Sequence, residues 1–219
     1  MLNKLLPFAT LAALGTAAAV APGAAATARP SVSAYRADLR PVPHDPSADA
    51  GSNARGTAVV VERDGQARVT VVARGLSPNL PHAMHIHGVV QARNECPSRA
   101  LDANHDGLID TLEGLPAYGP IDVSLTTHGA TGGNLLPDGL DLSRFPVASQ
   151  AGTLTYQRTI TIPADVARSL GSLHVVIHGA DLDGDHAYDG RLSTLSDLVH
   201  APVPLEAELP VACGALTGR

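Results

Sequence analysis

Three histidines, His82, His85 and His87, fall within residues 80–88, LPHAMHIHG. Side chains alternate faces along a β-strand, so on one strand His85 and His87 point one way and His82 the other. Two imidazoles on one face of a rigid strand can share a metal ion, and neutral imidazole suits copper, zinc, iron and nickel. An isolated H-x-H also fits two polar residues on a solvated face, with His82 buried and hydrogen-bonded. A second segment, residues 173–181 (LHVVIHGAD), would as a strand place His174, Val176 and His178 on one face.

Residues 102–113, DANHDGLIDTLE, match the EF-hand calcium loop position by position. Asp102, Asn104 and Asp106 supply oxygen ligands at positions 1, 3 and 5, and Gly107 takes position 6. The Leu108 carbonyl, Asp110 and a bidentate Glu113 follow at 7, 9 and 12. A polar surface loop would not require glycine and glutamate at these spacings, so calcium is the expected cation. No flanking amphipathic helices are read, which makes the loop an insert that calcium folds. A second acidic run carries Asp181, Asp183, Asp185 and Asp189, but Leu192 stands where a glutamate belongs. A second calcium site and a solvated acidic turn both remain open there.

These residues need a scaffold, and 219 residues allow one large domain or two small ones. Residues 1–28 combine Lys4, an apolar run and small-residue sites near Ala26 and Ala28, the pattern of a cleaved secretory signal. That apolar core is too short and alanine-rich for a membrane span, so no transmembrane segment is expected. The formal charge is −6, and loss of Lys4 makes it one unit more negative. Nucleic acid and anionic membranes are therefore not expected partners. The sequence leaves the oligomeric state open.

Residues 29–54 are rich in Pro, Ser, Ala and charge and read as a flexible leader whose first part could add an edge strand. From residue 55 the pattern is β. Residues 57–62 and 67–73 are β-branched runs joined by Asp64-Gly65, a hairpin signal. Further strand-like runs cover 121–127, 153–162, 172–178 and 204–211, and 163–170 reads as one or two helical turns. Residues 89–119 form a long excursion, and such loops are usually functional. The expected fold is all-β, a Greek-key barrel or sandwich over residues 55–219 with a long calcium-loop insert. Cys96 and Cys213 in an exported chain invite a disulfide, with two free thiols as the alternative.

Taken in order, these pieces resemble the copper/zinc superoxide dismutases over about residues 57–216. That family reads H-x-x-H-x-H on one strand, as His82, His85 and His87 do. Its disulfide cysteine follows the last histidine by nine positions, as Cys96 follows His87. A further copper ligand ends a VVH strand before an acidic loop, matched by His178, and the partner cysteine lies in an ACG strand, matched by Cys213. The resemblance implies a superoxide dismutase-like barrel, copper on His85, His87 and His178, and a Cys96–Cys213 bridge. Those histidines would also be the catalytic groups if the protein dismutes superoxide. His174 is a candidate fourth ligand or supporting group.

The departures are specific. The histidine that bridges copper and zinc in that family is Asp102 here, and only His128 lies in the zinc-ligand region. The arginine that guides superoxide is replaced by Pro210. Zinc is thus not expected, although copper-only relatives exist in the family. Two further functions stay open beside a dismutase: a non-catalytic copper carrier or buffer, and a calcium-stabilised interaction module resembling the secreted CHRD domains. The ligand is copper or superoxide in the first two readings, and the expected location is periplasmic or extracellular.

Overall fold

The computed structural model describes residues 31–48, 53–133 and 139–219. The signal peptide expected over residues 1–28 lies outside the described residues. Nine strands form one antiparallel sheet: β1 (Val32–Pro41), β2 (Arg55–Arg63), β3 (Gln66–Arg74), β4 (Met84–His87), β5 (Ile121–Ser124), β6 (Thr153–Thr161), β7 (His174–His178), β8 (Pro210–Ala215) and β9 (Thr217–Gly218). Their order is β5-β4-β7-β8-β1-β2-β3-β6, with β9 on β1. The sheet curls until its halves face each other. One core cluster joins Ala37, Val60, Val69 and Ile160 to Met84, Ile86, Val175 and Ile177. The chain is therefore mostly antiparallel β with few helices.

Local sequence explains most of these elements. Asp64 and Gly65 both adopt positive φ, which the tight β2–β3 hairpin demands. Along β3, Ala67, Val69, Val71 and Ala73 are buried while Arg68, Val72 and Arg74 are exposed, the alternation of a strand with one wet face. Pro163 caps α2 (Ala164–Ser169), where the 163–170 run predicts helical turns.

Three sequence expectations need correction. The leader read over residues 29–54 does add a strand in its first part, but not at an edge: β1 pairs with β2, β8 and β9 and joins the two halves of the sheet. Its buried side chains are only Ala37 and Leu39 between charged neighbours, a pattern that composition hides. The 204–211 run splits into a helical turn, α3 (Leu205–Glu208), and the start of β8. The excursion also carries a helix, α1 (Thr111–Tyr118), after the acidic loop. Gly114 and Pro116 lower its helix propensity, but Asp110 and Glu113 form a reciprocal capping box at its start. The residues that read as calcium positions 9 and 12 are thus also a helix start signal.

Candidate metal centre

The pleat sorts β4 cleanly. Met84 and Ile86 enter the core, while His85 and His87 point out of the barrel. On β7, Val175 and Ile177 enter the core, leaving His174, Val176 and His178 on the outer face. β4 and β7 are neighbours, with His85 opposite Val176 and His87 opposite His174. The excursion covers this outer face. Val42, Ile109, Tyr118, Val176 and Cys213 form a small second core there, and Cys96 bonds to Cys213 to hold it in place.

Ring nitrogens of His85, His87 and His178 lie within 4.8 Å of one another, and all three side chains are buried. Each ring uses one nitrogen to donate to a backbone carbonyl. His85 Nε2 bonds to Gly139 O at 3.0 Å, His87 Nδ1 to Gly119 O at 2.9 Å and His178 Nδ1 to Glu208 O at 2.7 Å. A carbonyl only accepts, so these bonds place the hydrogen and leave a lone pair on the opposite nitrogen. Those nitrogens, His85 Nδ1, His87 Nε2 and His178 Nε2, are buried without a hydrogen-bond partner. An unsatisfied buried polar atom costs about 1–3 kcal/mol. Three of them gathered at one point are what a metal ligand set looks like when its outer bonds are already made.

The surroundings keep the rings neutral. Burial drives the His87 imidazole down to about 3, helped by neighbouring His178, and that of His178 down to about 4. His85 is likewise held well below the ordinary histidine range by burial and by the other two rings. A cavity of about 10 Å³ lies among the three rings, Ala83, Leu140, Leu195 and Glu208, room for one small species. Tyr118 packs on His87 with ring centres 4.7 Å apart, and Phe145 meets His85 edge-on at 5.4 Å. Gly119 ends α1 at φ 82°, where a side chain would collide with Ala92, and its carbonyl thereby meets His87.

The other predicted residues take different places. His82 contributes no free nitrogen: its Nδ1 faces the His178 carbonyl at 2.9 Å and its Nε2 the Ser77 carbonyl at 3.0 Å. His174 shares the ligand face and has a bare buried Nδ1, but it is outside the three-histidine group. Asp102 does not reach the histidines; its carboxylate accepts the Asp106 and Gly107 amides. His128 is exposed and bonds to Thr127.

In the first acidic loop, Asn104 and Asp106 accept the amides of Asp106 and Leu108, and Glu113 reaches back to Ala103 and Asn104. Asp106 also pairs with Arg191 at 2.7 Å, and Asp110 caps α1. The carboxylates of this loop are not gathered as tightly as the histidines are. The second run is tighter. Asp183, Asp185 and Asp189 come within 4.8 Å of one another, as do Asp181, Asp183 and Glu206.

Sequence reasoning missed Glu206 and Glu208. Glu206 is buried and accepts the Leu182 and Asp189 amides, so it braces the second acidic run from 17 residues further along the chain than Asp189. Glu208 is buried at the histidine cavity and accepts Thr111 N and Ser193 Oγ, each at 2.7 Å. The available signal was two carboxylates inside an otherwise apolar stretch bounded by Pro204 and Pro210.

No family model matches the chain, and no curated protein matches it. Among the described residues, no helix is long and apolar enough to cross a membrane.

Proposed function

We propose that this chain is an exported copper-binding protein on a superoxide dismutase-like barrel, with one copper ion held by His85, His87 and His178. The observation that carries this reading is the set of three bare, buried imidazole nitrogens on rings already fixed by backbone carbonyls. Nitrogen-only donors favour copper among the first-row metals. The Greek-key part of the reading draws support from β7, which returns to lie beside β4 after β5 and β6 have been laid down. The Cys96–Cys213 bridge agrees with an oxidising compartment.

Copper at this place would supply one-electron oxidation and reduction. The chain's own contribution is to orient three neutral rings and exclude bulk water with Tyr118, Phe145, Leu140 and Leu195. Asp102 and Pro210 stand where the resembled family keeps its bridging histidine and guiding arginine. The enclosed site therefore favours holding copper over rapid turnover.

Dismutation of superoxide to oxygen and hydrogen peroxide is the second reading. A cavity of about 330 Å³ lined by His87, Leu112, Leu115, Pro120 and Leu195 adjoins the centre and offers a small molecule a way in. Calcium completes the proposal, on the 102–113 loop by the spacing of its oxygen ligands and on the second acidic run with Glu206 as its distant carboxylate.

The deciding experiment measures metal content and superoxide dismutation on one sample of the full mature protein, with His87→Ala and His178→Ala beside it. One copper per chain, absent from both variants, supports the copper reading, and accompanying activity selects the dismutase. Copper without activity selects the carrier. Calcium without copper overturns both and leaves a calcium-stabilised interaction module.

A further inference from the structure

On the opposite half of the barrel, three arginines stand in a row across neighbouring strands. Arg55 lies directly opposite Arg74 in the β2–β3 register, and Arg74 lies opposite Thr153 on β6. Leu39 pairs with Gly56, which brings the next residue, Arg40, beside Arg55. All three arginines are exposed, and with Thr57, Thr153 and Thr155 they line one groove of about 650 Å³. The groove's carboxylate, Asp38, is engaged by Arg36 at 2.7 Å. No carboxylate pairs with Arg40, Arg55 or Arg74 among the described residues.

Like charges directly opposite one another on a sheet are destabilising. A chain of net charge −6 nonetheless places three guanidiniums side by side. We infer that this row binds an acidic polysaccharide. Arg55 donates Nε and Nη2 to Asn53 O and Oδ1 at 3.2 and 3.4 Å and keeps Nη1 for a ligand, while Arg40 and Arg74 can each grip a carboxylate or sulfate through two parallel N–H bonds, from backbones that step about 4.8 Å from strand to strand. Such a row suits an extended polymer with recurring anionic groups. The threonine hydroxyls between and beside the arginines both donate and accept, which matches sugar hydroxyls.

Other polyanions fit less well. The groove has no aromatic side chain on which a base could stack. Val72 is the groove's one large exposed apolar side chain, too little to anchor in a lipid surface. This inference does not depend on the metal centre, which lies on the β4–β7 side of the sheet.

The test uses the full chain in calorimetric titrations with polygalacturonate, a carboxylate polymer, and heparin, a sulfated one. Single-stranded DNA and phosphatidylglycerol vesicles are run in parallel. Arg40→Gln/Arg55→Gln/Arg74→Gln is compared with Arg63→Gln/Arg68→Gln, which removes two charges from the far end of the same strands. At low salt the wild type should bind at least one polysaccharide, and whichever binds identifies carboxylate or sulfate as the partner group. The triple variant should lose about tenfold or more in affinity, and the control about twofold at most. The Arg74 side chain makes no hydrogen bond among the described residues, so Arg74→Gln alone should leave the fold intact and still cost about threefold, which covers any folding defect of the triple variant. Unchanged binding by the triple variant and by Arg74→Gln overturns the inference. So does failure of both polysaccharides to bind, or tighter binding of DNA or vesicles.

Discussion

His178 and Thr111 share one acceptor, the carbonyl oxygen of Glu208: the His178 ring donates to it at 2.7 Å and the Thr111 hydroxyl at 2.7 Å. A ring of the three-histidine group and the first turn of α1 are thus fixed by the same peptide. Thr111→Val keeps the shape of the side chain and removes the hydroxyl. It should cost about 1 kcal/mol in chemical denaturation and weaken copper binding about tenfold, because partners behind a ligand set its orientation. Unchanged copper affinity would separate α1 from the centre.

Glu208 gives a pH dependence of stability. Burial pushes its carboxyl up from 4.5 to about 7, against the lowering effect of the Thr111 and Ser193 hydrogen bonds. The folded state therefore holds this proton more tightly than the unfolded state does. The stabilisation is fully present below about 4.5 and is lost as pH rises through about 7. Glu208→Gln mimics the protonated form, so its melting temperature relative to wild type should rise between pH 5 and pH 8. A constant difference between the two proteins across that range would refute the assignment.

His174 tests how many ligands the centre has. Its Nδ1 is buried and bare, yet the ring stands outside the three-histidine group. His174→Leu removes an unsatisfied polar atom while filling much the same space, so copper stoichiometry should hold and stability should not fall. A variant that loses its copper would make His174 a fourth ligand.

The acidic loops predict a separable calcium response. Addition of calcium to the chelator-treated protein should raise its melting temperature by several degrees. Glu113→Gln and Glu206→Gln should each remove part of that rise, since they stand at different loops. Melts insensitive to chelator would eliminate calcium from the structure of both loops.

The disulfide joins the excursion to β8 across 117 residues. Cys96→Ser/Cys213→Ser should cost roughly 4–5 kcal/mol in the chain-entropy model, read from denaturant midpoints. The loss should loosen Tyr118 over His87 and shorten copper retention against a chelator.

The pairing of His85 and His87 was legible because strand periodicity is short-range: H-x-H fixes two side chains on one face whatever the rest of the fold does. The approach of His178 to that face was not readable from periodicity, since the pairing of β4 with β7 is a long-range event; only resemblance pointed to it. The acidic loop was ambiguous for a different reason. Asp110 and Glu113 satisfy the spacing of a calcium loop and that of a capping box at once, and a helix can use one without the other. β1 was legible only as an edge strand, because a strand with one wet face needs few apolar residues, and Ala37 and Leu39 supply its contribution to the core. Glu206 and Glu208 escaped because an acid within an apolar run signals burial but names no partner.

β1 also has a kinetic meaning. It is the first strand of the sheet, yet its neighbours include β8 and β9, the last two. Closing the ends of a chain this long exacts its entropy before those contacts form, which slows the final step. Whatever β2 and β3 gather around β1 earlier, the seam that unites the halves waits for the sheet's last strands. The excursion that covers the histidines is tied to β8 through Cys213, so their shelter too waits for that strand.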